Sequence, residues 1–168
     1  MIGLRVPCKA RTDYVRFAFR SLSFHSVEQR FMTLRASLLR ELDNPSLSVD
    51  RRAELCCEVA RDSEDRGEYE KARQALREYW RRIGEQPKLS GLEESTAAEV
   101  LLRAGVLTGY VGSKNQIEDA QENAKDLISK SQAIFEARKN RKKIAEAQTE
   151  LALIYWRTGE NNEAGLSE

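Results

Sequence analysis

From Ser26 to the end of the chain, apolar side chains return every three or four positions, and no stretch sustains a period-two alternation. A sequence patterned this way must build helices that each bury one stripe against neighbouring helices, so the fold class is all-α. Breakers are sparse, three prolines and nine glycines in 168 residues, so the helices can be long. A first helix opens at Ser26, where Gln29 completes a capping box, and shows Val27, Phe31, Leu34, Leu38 and Leu42 on one face. Asn44-Pro45 ends it, because proline disfavours helix in the residue before it. Ser48 caps a second helix with Leu55, Cys56, Val59, Ala60 and Ser63 inward, and Gly67 stops it.

A third helix carries Tyr69, Ala72, Leu76, Tyr79 and Ile83, and a loop from Gly84 to Gly91 follows. Ser90 with Glu93 predicts a cap for a fourth helix, which has Val100, Leu101, Ala104, Leu107, Thr108 and Val111 on its face and Gly112 as its stop. Ile117, Ala120, Ala124, Leu127, Ile128, Ser131, Ile134 and Phe135 mark a fifth. Asn140 caps a sixth with Ala147, Leu151, Ala152 and Tyr155, stopped by Gly159.

Aligning Gly67, Gly112 and Gly159 brings out a repeat. Seven residues before each lies a small residue (Ala60, Gly105, Ala152), and one residue earlier lies Val59, Ala104 or Leu151. Four residues before each glycine lies Ser63, Thr108 or Tyr155, and alanine follows the first and third as Ala72 and Ala164. Small residues let two helices approach closely while larger ones fill the gaps beside them. On these residues the chain resembles the tetratricopeptide repeat family. The spacing exceeds the roughly 34 residues of that family's standard unit, which points to a long-helix variant. The resemblance implies antiparallel hairpins stacked as a right-handed solenoid. It divides the chain into a basic extension (1–25) and a helical array (26–168). Within the array fall a leading helix (26–43), hairpin 1 (48–84), hairpin 2 (92–138) and a truncated hairpin 3 (141–168). The short final helix leaves Leu151, Ala152 and Tyr155 incompletely covered, so more chain, or self-association through this end, is expected to cover them.

The resemblance also implies a concave groove lined by the first helix of each hairpin, able to take an extended peptide or a partner's helix. Mapped onto this sequence, the groove receives Glu54, Cys57, Glu58, Arg61 and Asp65, then Glu99, Leu102, Arg103, Val106 and Tyr110. The third hairpin adds Glu146, Thr149, Glu150, Leu153, Trp156 and Arg157. Among these, Glu58, Arg61, Arg103, Tyr110, Glu150, Trp156 and Arg157 are the candidate partner-binding residues. Aromatics set among charges fit an interaction hot spot. The family's chaperone-tail groove relies on lysine, arginine and asparagine, whereas this one carries glutamates, so a basic or amphipathic segment is the expected ligand.

Catalysis finds little support. His25, the only histidine, lies in the basic extension, so the array offers no histidine partner for a nucleophile and no histidine metal ligand. Cys56-Cys57 has no second cysteine pair, and Cys56, on the apolar face, reads as a small buried residue. Gly105, Gly109 and Gly112 match neither a Walker loop nor a dinucleotide fingerprint and read as close packing plus a turn. The paired carboxylates, such as Glu64 with Asp65, read as solvated helix surface. No enzyme, cofactor or metal is expected.

Residues 1–25 hold Arg5, Lys9, Arg11, Arg16 and Arg20 against Asp13, a local +4 in a chain of net +1. The mildly acidic remainder argues against nucleic-acid binding, and the cluster Arg138, Lys139, Arg141, Lys142 and Lys143 reads as a solvated turn. The longest apolar run, Leu151–Trp156, is far short of the roughly 20 residues that span a bilayer. No secretory h-region is seen, and three cysteines fit a reducing, cytoplasmic setting. The expected function is a scaffold or adaptor that binds a protein or peptide. The alternative is a regulatory or sensor module of a larger signalling or transcription-control protein.

Overall fold

A computed structural model describes residues 35–159, and within them all regular structure is helical. The order is α1 (helical over 35–42), α2 (Val49–Asp65), α3 (Tyr69–Ala75), α4 (Glu94–Lys114), α5 (Ala120–Ala137) and α6 (Arg141–Thr158). The expected start at Ser26, the residues Val27, Phe31 and Leu34, the basic extension and the segment after Gly159 lie outside the described residues. Among the described residues no helix is long and apolar enough to cross a membrane.

Ser48 starts α2 as expected, its Oγ accepting the Arg51 N–H at 3.1 Å. The helix ends in a Schellman turn. Glu68 N–H donates to the Ser63 carbonyl and Gly67 N–H to the Glu64 carbonyl, with Gly67 left-handed at φ +71°. The Asn140 carboxamide oxygen likewise caps α6 by accepting the Lys143 N–H, and Gly159 ends it at φ +79°.

The middle unit departs from expectation. Gly112 does not stop α4, which runs on to Lys114. The left-handed residue is Gln116 (φ +52°), and Ile117 N–H closes the turn on the Gly112 carbonyl at 2.9 Å. Gly112 serves instead as a contact, since a Cβ placed there would lie 2.2 Å from the Ala120 Cβ. Gly105 does the same, where a Cβ would meet Ile128 Cγ1 at 2.5 Å. Glycines on α4 thus face Ala120, Ala124 and Ile128 of an antiparallel α5, and the two backbones approach closely. The α5–α6 turn likewise uses a non-glycine residue in the left-handed region, Lys139 at φ +55°.

Two further expectations fail. The third helix ends at Ala75 instead of reaching Ile83, because the groups beyond it bond elsewhere. The Tyr79 carbonyl, which a continuing helix would offer to Ile83, accepts the Lys88 N–H at 2.7 Å. The buried Trp80 indole donates to the Glu85 carbonyl at 3.2 Å. Ser90 does not cap α4. The N-cap is Glu93, and its own N–H donates to Asp50 Oδ1 in the first turn of α2 at 2.9 Å.

Two adjoining cores share α4. One packs Ala53, Cys56, Cys57 and Ala60 of α2, with Ala72, Leu76, Tyr79 and Trp80, against Val100, Leu101, Ala104 and Leu107. The other packs Leu102 and Val106 against Ala124, Ile128 and Phe135 of α5 and Ala147 and Ile154 of α6. Leu38 of α1 closes the outer side of α2 on Leu55 and Val59. Burying about this many aliphatic and aromatic side chains, at roughly 1.5–3 kcal/mol each, is the main term opposing the loss of chain entropy.

Candidate functional site

Contacts advance in the same direction along each helix: Asp50 with Glu93 and Glu64 with Arg103 between α2 and α4, Glu99 with Lys143, Arg103 with Glu146 and Arg157 over Tyr110 between α4 and α6. The three helices are therefore parallel and present side chains to one shared face. Near its first end lies a cavity of about 270 Å³, lined by Glu54, Cys57, Glu58 and Arg61 of α2, Ser95, Thr96 and Glu99 of α4, and Phe135, Asn140 and Lys143.

At the middle of the face sits Arg103, its side chain only 3% exposed. Its guanidinium donates to Glu64 of α2 and to Glu146 of α6, and Glu99 of its own helix lies 3.6 Å from Nε. Lys143 Nζ joins Glu99 at 2.6 Å and Glu146 at 3.1 Å, and Arg61 reaches Glu146 at 3.7 Å. One arginine thus ties together the first helices of all three units. Glu64 Oε1 is buried with no hydrogen-bond partner. Burial pushes the Glu64 carboxyl up to about 7, against the opposing pull of Arg103. At Glu146 burial also acts upward, but Arg103, Lys143 and Arg61 outweigh it and hold the carboxyl below its ordinary value. Burial raises Glu150, only partly countered by Arg103 and Arg157. No cation stands within ion-pair distance of Glu150 or Asp65 among the described residues.

Toward the far end Tyr110 stacks on Tyr69, with ring centroids 4.6 Å apart, and Arg157 lies 4.1 Å over the Tyr110 ring. A second cavity of about 430 Å³ opens beside this stack between the start of α3 and the end of α4. Trp156 is 65% exposed on α6 and makes no ring contact among the described residues.

The seven candidate residues therefore separate. Glu58 is exposed and shares Arg51 with Glu41 and Glu54, while Arg61 and Glu150 are half-buried on the face. Tyr110 and Arg157 form the cation-capped stack, and Trp156 stands free of it. Arg103 is no groove surface at all but the buried hub. Cys57, Leu102 and Val106, also expected in the groove, are core residues, because α4 is packed by neighbours on both sides. Glu64 is not solvated surface, and Lys143 turns inward while Arg138, Lys139, Arg141 and Lys142 remain exposed. Cys56 is buried and free, as expected, Cys57 is buried and free against expectation, and burial raises both thiols, Cys56 to about 11.

Among the described residues no group of histidine, cysteine, aspartate and glutamate is arranged to hold a metal ion. Comparison of the chain with protein-family models, with curated proteins and with solved structures returned no match.

Proposed function

We propose that the chain is a protein-interaction module, a scaffold or adaptor of the tetratricopeptide-like kind rather than an enzyme. Its α2–α4–α6 face receives a basic or amphipathic segment of a partner. The observation that carries this reading is the convergence of three parallel helices on one face whose cations are already engaged. Arg103, Lys143 and Arg61 are spent on Glu64, Glu99 and Glu146, which leaves Asp65 and Glu150, together with exposed Glu58 that only shares Arg51 with Glu41 and Glu54, as the acid available to a ligand. Trp156 supplies an exposed apolar anchor on the same helix as Glu150. Parallel first helices joined through antiparallel partners also suit a solenoid of stacked hairpins.

The test is titration of the full chain with two synthetic peptides of equal length, one basic and amphipathic, the other with its charges reversed, at several salt concentrations. Binding of the basic peptide alone, weakened by salt and by Glu58→Gln with Glu150→Gln, is expected. Trp156→Ala should cost at least about 2 kcal/mol of binding if it is an anchor. Equal binding of both peptides, or affinity unchanged in these variants, would refute the assignment.

A further inference from the structure

We propose that residues 1–25 of this same chain are an internal ligand of the α2–α4–α6 face, held there in competition with partners. This inference rests on the interaction reading above and specifies the first occupant of that face. Charge complementarity is its first support. Lys9, Arg11, Arg16 and Arg20 stand against Asp13 alone, interleaved with Tyr14, Phe17 and Phe19. That is the basic, aromatic chemistry that Asp65, Glu150 and exposed Trp156 are suited to meet.

The second support is where the described chain begins. Arg35 is pinned to Glu68 at 3.1 Å, at the end of α2 next to Asp65 and Gly67. From Asp65, the last residue of α2, Glu58 is seven residues back, about 10 Å at the helical rise of 1.5 Å per residue. With 26–34 read as helix, the 25 residues ahead of them can still span roughly 80 Å at about 3.3 Å each, so reach sets no limit. Short covalent linkage of a ligand to its site gives an effective concentration on the order of 1 mM. A segment that binds in isolation with a Kd of about 0.1 mM would then fill the face about ten times in eleven, weakening a competing partner about tenfold.

The full chain supplies its own probe. Cys8 lies in the basic segment, whereas Cys56 and Cys57 are buried with raised thiols, so a nitroxide can be placed on Cys8 alone. Two indole N–H signals then report position: Trp156, exposed on α6, and Trp80, buried and bonded to the Glu85 carbonyl. The expected result is broadening of Trp156 and not Trp80, independent of protein concentration and relieved by high salt. A synthetic peptide of residues 9–20 should bind the full chain carrying Arg11→Ala, Arg16→Ala and Arg20→Ala about tenfold more tightly than the unaltered chain. Unbroadened Trp156 with equal peptide affinity for the two chains overturns internal docking and leaves the interaction reading standing. Broadening that grows with protein concentration overturns it in favour of a second copy. Failure of the peptide to bind either chain, with no broadening, removes both readings.

Discussion

Replacing Arg103 by methionine keeps most of the side-chain volume but removes the charge that joins α2, α4 and α6. The loss falls unevenly on its partners. Glu99 and Glu146 keep Lys143, and Glu146 also keeps Arg61, so neither is stranded. Among the described residues Glu64 has no other cation within ion-pair distance, its side chain is 8% exposed, and its Oε1 already lacks a partner. The substitution therefore strands one buried carboxylate rather than three. Breaking a buried pair in this way costs about 3–5 kcal/mol, a large share of the roughly 5–15 kcal/mol that holds a domain together. Urea denaturation followed by far-ultraviolet circular dichroism at pH 8 should show a lower midpoint with an unchanged slope. Adding Glu64→Gln to the same chain should recover most of the loss, since nothing charged is then left unpaired. At pH 5.5, where Glu64 is already largely protonated, the penalty of the single substitution should shrink. A loss below about 1 kcal/mol, or no recovery in the double variant, would show that Arg103 is a surface-type ion pair of little worth and that packing alone joins the units.

Glu64 itself gives a pH signature. A carboxyl raised from its ordinary value of 4.5 to about 7 in the folded chain binds more protons folded than unfolded, so stability falls as pH rises through that window. The full difference is about 3 kcal/mol at 1.36 kcal/mol per unit. Thermal denaturation should show a more stable protein at pH 5.5 than at pH 8, and Glu64→Gln should flatten that dependence. The α4 glycines give a contrast within one helix. Gly112→Ala drives a methyl to 2.2 Å from the Ala120 Cβ and should cost about 1–3 kcal/mol. Gly109→Ala finds ordinary contact at 3.5 Å from the Ala124 Cβ and should be neutral or stabilising by up to about 1 kcal/mol. Equal midpoints for the two variants would contradict the close approach of α4 and α5. The thiols of Cys56 and Cys57 should resist a thiol reagent at pH 8 until denaturant is added, and prompt reaction of the native chain would contradict their burial.

The helices were legible because amphipathic period and capping chemistry are local. Ser48 and Asn140 cap where their side chains can reach the third amide, and Gly67 and Gly159 turn where a left-handed residue is needed. Gly112 misled because glycine has two uses, turning the chain and letting backbones touch, and the sequence around it does not say which. The partner surface does: Ala120 and Ala124, four apart, are the small residues that a glycine stripe requires opposite it. Nothing local marks Gln116 or Lys139 as left-handed, since neither side chain prefers that region. The early end of α3 was equally hidden, because it depends on a bond from Lys88 to Tyr79 across a loop.

The hub has a signature in the sequence. From Val100 to Thr108, Arg103 is the only charged residue in a run that is apolar on every side of the helix, which marks α4 as central. A charge at such a position must be paired, so acidic partners were required from the neighbouring first helices. Setting the turn of the second unit at Gln116 instead of Gly112 also corrects the register. Arg103 then lies as far ahead of its turn as Glu146 lies ahead of Gly159, and these two residues are ion-paired. The aligned glycines placed the units one helical turn out of step, and with them the groove. The acid that remains free on the face follows from that correction. Once Arg103 is assigned to the interior, Asp65 and Glu150 lose the cation that would have balanced them, while Glu58 keeps a share of Arg51, and it is on this unbalanced acid that the proposed preference for basic ligands rests.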